Sequence, residues 1–145
     1  MRVFHPDSGT DKGWFTGPWD SDLPISIGYA NTGVDDPHYH REITEVYFVA
    51  RGCAIMRVED REIAISPGQA ITIEPGETHT FVECSEDFYH FVVPTPGLQG
   101  EAARLDKVVV ACDLDETELA PNSSGESTSG TVVADSPIAG CHHAA

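Results

Sequence analysis

His38-x-His40-x4-Glu45, followed further along by Pro75-Gly76-x-x-His79, sets three imidazoles and a carboxylate where they can meet. Neutral imidazole nitrogen and carboxylate oxygen together suit a divalent transition metal such as Fe, Mn, Ni, Cu or Zn. His38 and His40 are two residues apart, so on an extended segment both side chains leave the same face. A structural zinc more often takes thiolates, and no cysteine accompanies these residues at ligand spacing. Four such ligands leave two positions open on a six-coordinate ion, and an open position separates a catalytic metal from a structural one. Such a metal can polarise a carbonyl or enolate, lower the pKa of bound water, or take dioxygen beside a substrate.

Short elements must bring these residues together. Ile25–Ala30 reads as a strand leading to Asn31-Thr32-Gly33 and the first histidines, and Thr44–Ala50 is apolar on both faces, the pattern of a strand covered on each side. Further strands are expected at Cys53–Val58, Glu62–Ser66, Gln69–Ile73, Thr78–Glu83, Phe88–Val93 and Lys107–Cys112, with a helical turn only at Gly100–Leu105. Arg51-Gly52, Glu59-Asp60-Arg61, Pro67-Gly68 and Pro75-Gly76 supply the breaks between them. Many short strands joined by tight turns indicate an all-β sandwich or barrel. Residues 1–24, with Trp14, Phe15 and Trp19 among Gly, Pro and Asp, read as an irregular arm with aromatic anchors. A barrel domain is expected over 25–113, and a flexible, disordered polar tail over 114–145.

The motifs resemble those of the cupin superfamily. Gly33-x4-His38-x-His40-x4-Glu45-x6-Gly52 is similar to the first cupin motif, with one residue fewer than usual between the first Gly and the first His. Gly68-x7-Gly76-x-x-His79 resembles the second, with Pro75 one place later than the common pattern and Glu83 in place of the usual closing Asn. The resemblance implies a small single-domain cupin: a double-stranded β-helix, or jelly roll, holding one divalent transition metal by His38, His40, Glu45 and His79. It also implies an enzyme acting on a small oxygen-rich molecule, with an O2-dependent dioxygenase placed first. A non-redox isomerase, epimerase or lyase comes next, and a non-catalytic small-molecule or metal-binding module is the reading from another class. Small cupins pair through the sheet outside the barrel, so a homodimer is expected with the Trp14/Trp19 arm near the contact.

Tyr47, two residues after Glu45, should face the same cavity, either as a general acid or base beside the metal or as packing. His90 and Arg57 have open orientations on their strands, and Glu83 reads as a rim charge or an outer acceptor. Cys141-His142-His143 could hold metal only weakly.

A formal net charge of -16, from 24 acids against 8 bases, opposes nucleic acid and anionic membranes as partners while leaving room for one small anion at a metal. Such acid-rich usage also suits a salt-adapted protein. No apolar run is long enough to span a bilayer, and the N-terminus lacks a signal-peptide stretch. Four widely spaced cysteines demand no disulfide framework, so a cytoplasmic setting is expected.

Overall fold

A computed structural model describes residues 1–31 and 35–111. Gly33, the tail from residue 112 and the Cys141-His142-His143 triplet lie outside the described residues. Strand β1 is Lys12–Thr16, β2 Ile27–Ala30, β3 His38–His40, β4 Thr44–Arg51 and β5 Ala54–Val58. Strand β6 is Arg61–Ile65, β7 Ala70–Ile73, β8 His79–Cys84 and β9 Tyr89–Thr95; helix α1, Gly100–Asp106, leads directly into β10, Lys107–Val109.

These strands form two antiparallel five-stranded sheets, ordered β1-β2-β9-β4-β7 and β10-β3-β8-β5-β6. This is the double-sheet jelly roll expected from the sequence. Between the sheets Tyr47, Val49, Ala54, Met56, Ile65, Ile73 and Phe88 make one core drawn from both layers. Met56 and Phe88 are fully buried, and burying a side chain of that size contributes roughly 1.5–3 kcal/mol. Gly52 turns the chain beside Phe88 with φ +67°, and a Cβ there would lie 2.7 Å from the Phe88 Cα. Both the left-handed backbone and the close approach call for glycine at this motif position.

Two expectations are corrected. Lys12–Thr16, placed in an irregular arm, is an edge strand paired antiparallel with Ile27–Ala30. Its glycine and its mixed composition conceal a segment that gains order from pairing with a neighbour. Strand β4 is covered on one face rather than two. Glu45, Tyr47 and Val49 are buried, whereas Val46 is half-buried and Phe48 is 45% exposed. A two-layer architecture turns one face of each strand inward, so a continuous apolar run places its alternate members outside.

Candidate metal centre

The two histidines of β3 enter the interior from the same face, with Tyr39 between them less buried. His79 opens β8 directly opposite His38 in the strand register. Glu45 and Tyr47 come from the other sheet, on the inward face of β4. Two facing sheets thus bring one wall of histidines against one wall of carboxylate and phenol. His38, His40, Glu45, Tyr47 and His79 are all buried.

Each imidazole is held by its Nδ1. His38 Nδ1 lies 2.7 Å from the Asp36 carbonyl oxygen, His79 Nδ1 3.1 Å from the Glu77 carbonyl oxygen, and His40 Nδ1 2.7 Å from Asp106 Oδ2. Carbonyl and carboxylate oxygens accept only, so these contacts place the proton on Nδ1 and leave the Nε2 lone pair free. Ligand atoms of His38, Glu45 and His79 lie within 4.8 Å of one another. Glu45 Oε2 is 3.1 Å from His79 Nε2 and 3.5 Å from His40 Nε2. A carboxylate oxygen facing unprotonated nitrogens at these distances calls for a cation between them, either a proton or a metal. The shorter separation is what two ligands about 2.1 Å from one ion make at roughly a right angle. The donor set therefore fits a metal, and the outer acceptors supply the orientation that metal-binding histidines need.

The electrostatics carry the same tension. Burial would raise the Glu45 carboxyl, but the facing His40 and His79 imidazoles, when they carry a second proton on Nε2, and the Tyr47 hydroxyl hold it well below the ordinary carboxylate range. For His40 burial works downward, and the facing Glu45 and Asp106 carboxylates overcome it and raise the imidazole. His38 moves the other way, lowered by burial with help from neighbouring His79. The Tyr47 hydroxyl donates to Glu45 Oε2 at 2.7 Å and lies 3.3 Å from His79 Nε2. Burial, reinforced by the Glu45 charge, pushes this phenol well above its usual value. A metal charge beside the phenol would lower it, so the residues by themselves act in the opposite sense.

Asp106 was not anticipated. It ends α1, is buried, accepts the Glu42 N–H at Oδ1 (2.7 Å) and holds His40 through Oδ2. No local signal marks it, because its partner is 66 residues away in sequence. His90 points inward and packs against Tyr47, Phe81 and Phe88, with Nδ1 buried and without a hydrogen-bond partner among the described residues. Burial lowers its pKa to about 4. Arg57 faces outward and pairs with Glu62 at 2.6 Å, so it does not meet the cavity. Glu83 is likewise absent from the cavity wall.

The centre forms the floor of a cavity of about 780 Å³, a size suited to a small organic molecule. Trp14 and Trp19, expected near a subunit contact, stand at its mouth. Among the described residues no helix is long and apolar enough to cross a membrane.

Comparison with known proteins agrees with this architecture. Residues 28–93 match the cupin domain family. A protein from Planctomyces limnophilus has a similar solved structure, 20% identical, covering 74% of this chain and 96% of that one at a TM-score of 0.57. Pac13, a nucleoside dehydratase known from Streptomyces, is 14% identical, with 69% and 85% coverage and a TM-score of 0.53. KdgF from Halomonas sp. is 16% identical, with 68% and 89% coverage and a TM-score of 0.52. No curated protein matches the chain. At these identities the likeness is one of fold. Motifs, barrel and family match coincide on the same residues, and residues 28–93 of this chain form a cupin domain.

Proposed function

We propose that this cupin is a metal-dependent enzyme that moves a proton on a small oxygen-bearing molecule, in the manner of a lyase, dehydratase or isomerase. The observation that carries this reading is the Tyr47 hydroxyl, held inside the ligand cluster at 2.7 Å from Glu45 and 3.3 Å from His79. His38, His40, Glu45 and His79 would hold one divalent transition metal, whose charge polarises a substrate oxygen when bound. Tyr47 supplies the proton. Burial and Glu45 keep the phenol in its acid form at neutral pH, so it is poised to donate to a substrate oxygen that becomes basic as a bond breaks. Asp106, Asp36 and Glu77 fix the three imidazole tautomers, and His90 packs against the phenol ring. Pac13 offers an analogy of fold: a barrel of this shape can host an elimination.

The O2-dependent dioxygenase expected from the sequence uses the same donors but gives the buried phenolic proton no part. A substrate screen of the metal-loaded protein, run with and without oxygen, separates the two. Turnover without oxygen supports proton transfer; oxygen consumption in step with substrate loss restores the dioxygenase; binding without turnover leaves a non-catalytic module. Tyr47→Phe keeps the ring in the core and removes the hydroxyl. It should lower kcat about 10²–10⁴-fold with metal content unchanged, and an unaffected kcat would reduce Tyr47 to packing.

For assembly, the outward face of Val46, Phe48, Phe91 and Val93, paired across β4 and β9, supports the homodimer reading. Light scattering at micromolar protein and moderate salt should give twice the chain mass, and a monomer there removes that reading.

A further inference from the structure

The charges of this molecule are distributed unevenly between its surface and its cavity. The whole chain carries 24 acids and 8 bases. Among the described residues, Lys12, Arg104 and Lys107 line the cavity, against only Asp35 and Glu45 on the acidic side. Both lysines of the chain are therefore at this one opening. Lys107 is neutralised by Asp35 at 2.6 Å, whereas Lys12 and Arg104 have no ion pair among the described residues. In a chain with such an excess of acid, two cations at a cleft without an ion pair among the described residues are a selective feature, because a concave low-dielectric wall concentrates their field.

The surrounding groups give the opening a shape. The strand register places Trp14, Gly28, Val92 and Tyr47 in one row across β1, β2, β9 and β4, all on the inward face. At normal strand spacing this row runs roughly 14 Å from the phenol to the indole. Gly28 leaves room for the Trp14 ring to lie over it: a Cβ there would come within 2.9 Å of the indole and 3.1 Å of Val92 Cγ1. Trp19 packs edge-on against Trp14, with ring centroids 6.0 Å apart, and the two indoles stay 56% and 46% exposed. Such a pair is an apolar platform left uncovered beside the cationic rim. Between platform and floor, Ser26 is 2% exposed and lines the cavity, and its Oγ has no hydrogen-bond partner among the described residues. A buried hydroxyl without a partner costs stability unless something in the cavity bonds to it.

We propose that this cavity selects a small organic acid, with its carboxylate drawn to the Lys12 and Arg104 rim, its carbon skeleton against Trp14, and a polar atom reaching Ser26. This names the substrate class for the enzyme proposed above and rests on that reading for the chemistry, though not for the binding. A neutral molecule of the same shape gains the platform and Ser26 but not the rim.

The test is binding to the full metal-loaded chain, followed by tryptophan fluorescence and calorimetry. The probes are matched pairs sharing one skeleton, benzoate with benzamide and glucuronate with glucose. In at least one pair the acid should bind about three- to tenfold tighter than its neutral partner. That preference should shrink between ~50 mM and ~500 mM salt. The double variant Lys12→Met/Arg104→Met should abolish the preference with metal content and melting temperature unchanged. Trp14→Leu should weaken acid and neutral partner alike. Equal binding within every pair overturns the proposal. So does an acid preference that survives the double variant but disappears on chelation, since the metal alone would then hold the carboxylate. Binding is read without turnover, so an inert Tyr47 or a dioxygenase outcome defeats the proton-transfer reading and leaves this result standing.

Discussion

At the floor of the cavity, Nδ1 of His38, His40 and His79 each has a fixed acceptor, and Glu45 receives contacts from two imidazoles and a phenol. At the mouth, Lys12 and Arg104 have no ion pair among the described residues, and Trp14 and Trp19 remain about half exposed. The floor is set by its neighbours before any ligand arrives. The mouth keeps its groups unspent. Preorganisation favours chemistry, because donors already aimed need no rearrangement as charge develops. Spare charge and an uncovered ring favour selection, because each is satisfied only by an incoming molecule. The difference also places the two regions in the fold: the floor lies between sheets, while the mouth lies at the β1 edge and beside α1.

The comparison can be broken most severely at the floor. His79→Ala removes a nitrogen 3.1 Å from Glu45 and leaves that carboxylate with fewer partners. Metal analysis after purification without chelator should find about one equivalent in the natural chain and little in this variant; full occupancy would dismantle the centre. Asp106→Asn should act more gently than loss of a ligand, because it keeps the shape while removing the charge and one of the two acceptors that serve His40 Nδ1 and the Glu42 N–H. A loss of about 10–100-fold in metal affinity is expected, and an unchanged affinity would make Asp106 a purely structural residue. The rim variants Lys12→Met/Arg104→Met should leave metal content alone, and that contrast with His79→Ala is the sharpest check on separate roles for floor and mouth.

A separate prediction, on stability alone, concerns His90, which packs against the phenol and lines the cavity. Burial depresses its pKa to about 4, against ~6.5 in an unfolded chain. The fold holds it neutral, so its contribution is complete above the unfolded value and is lost as pH falls from about 6.5 towards 4. The loss is at most about 3 kcal/mol. Facing Glu45 opposes part of this depression. His40 has the opposite sign: its raised pKa contributes stability at low pH that disappears as pH rises through the folded value. Denaturant unfolding of the metal-free protein at several pH values should therefore show less destabilisation on acidification in His90→Phe than in the natural chain. Parallel curves would show that His90 exchanges its proton without cost to the fold.

Much of this was already legible in the residues. The ligand types and their order, His38, His40, Glu45 and His79, follow from composition and spacing, because metal preference is a property of donor atoms. The strands around them follow from apolar runs broken by Gly and Pro, and the helical turn before Lys107 from a short run lacking such breaks. Periodicity also placed Tyr47 on the face of Glu45. It could not orient His90, because both faces of Phe88–Val93 are apolar and alternation then carries no sign. Nor could it find β1, which owes its strand geometry to pairing with Ile27–Ala30. Asp106 reaches His40 across 66 residues, and Lys12, Trp14 and Arg104 meet one cavity from a sheet edge and a helix. Sequence determines which atoms are on offer and how each strand presents them. Only the closing of two sheets decides which distant side chains share a space, because that depends on register and curvature summed over every strand between them.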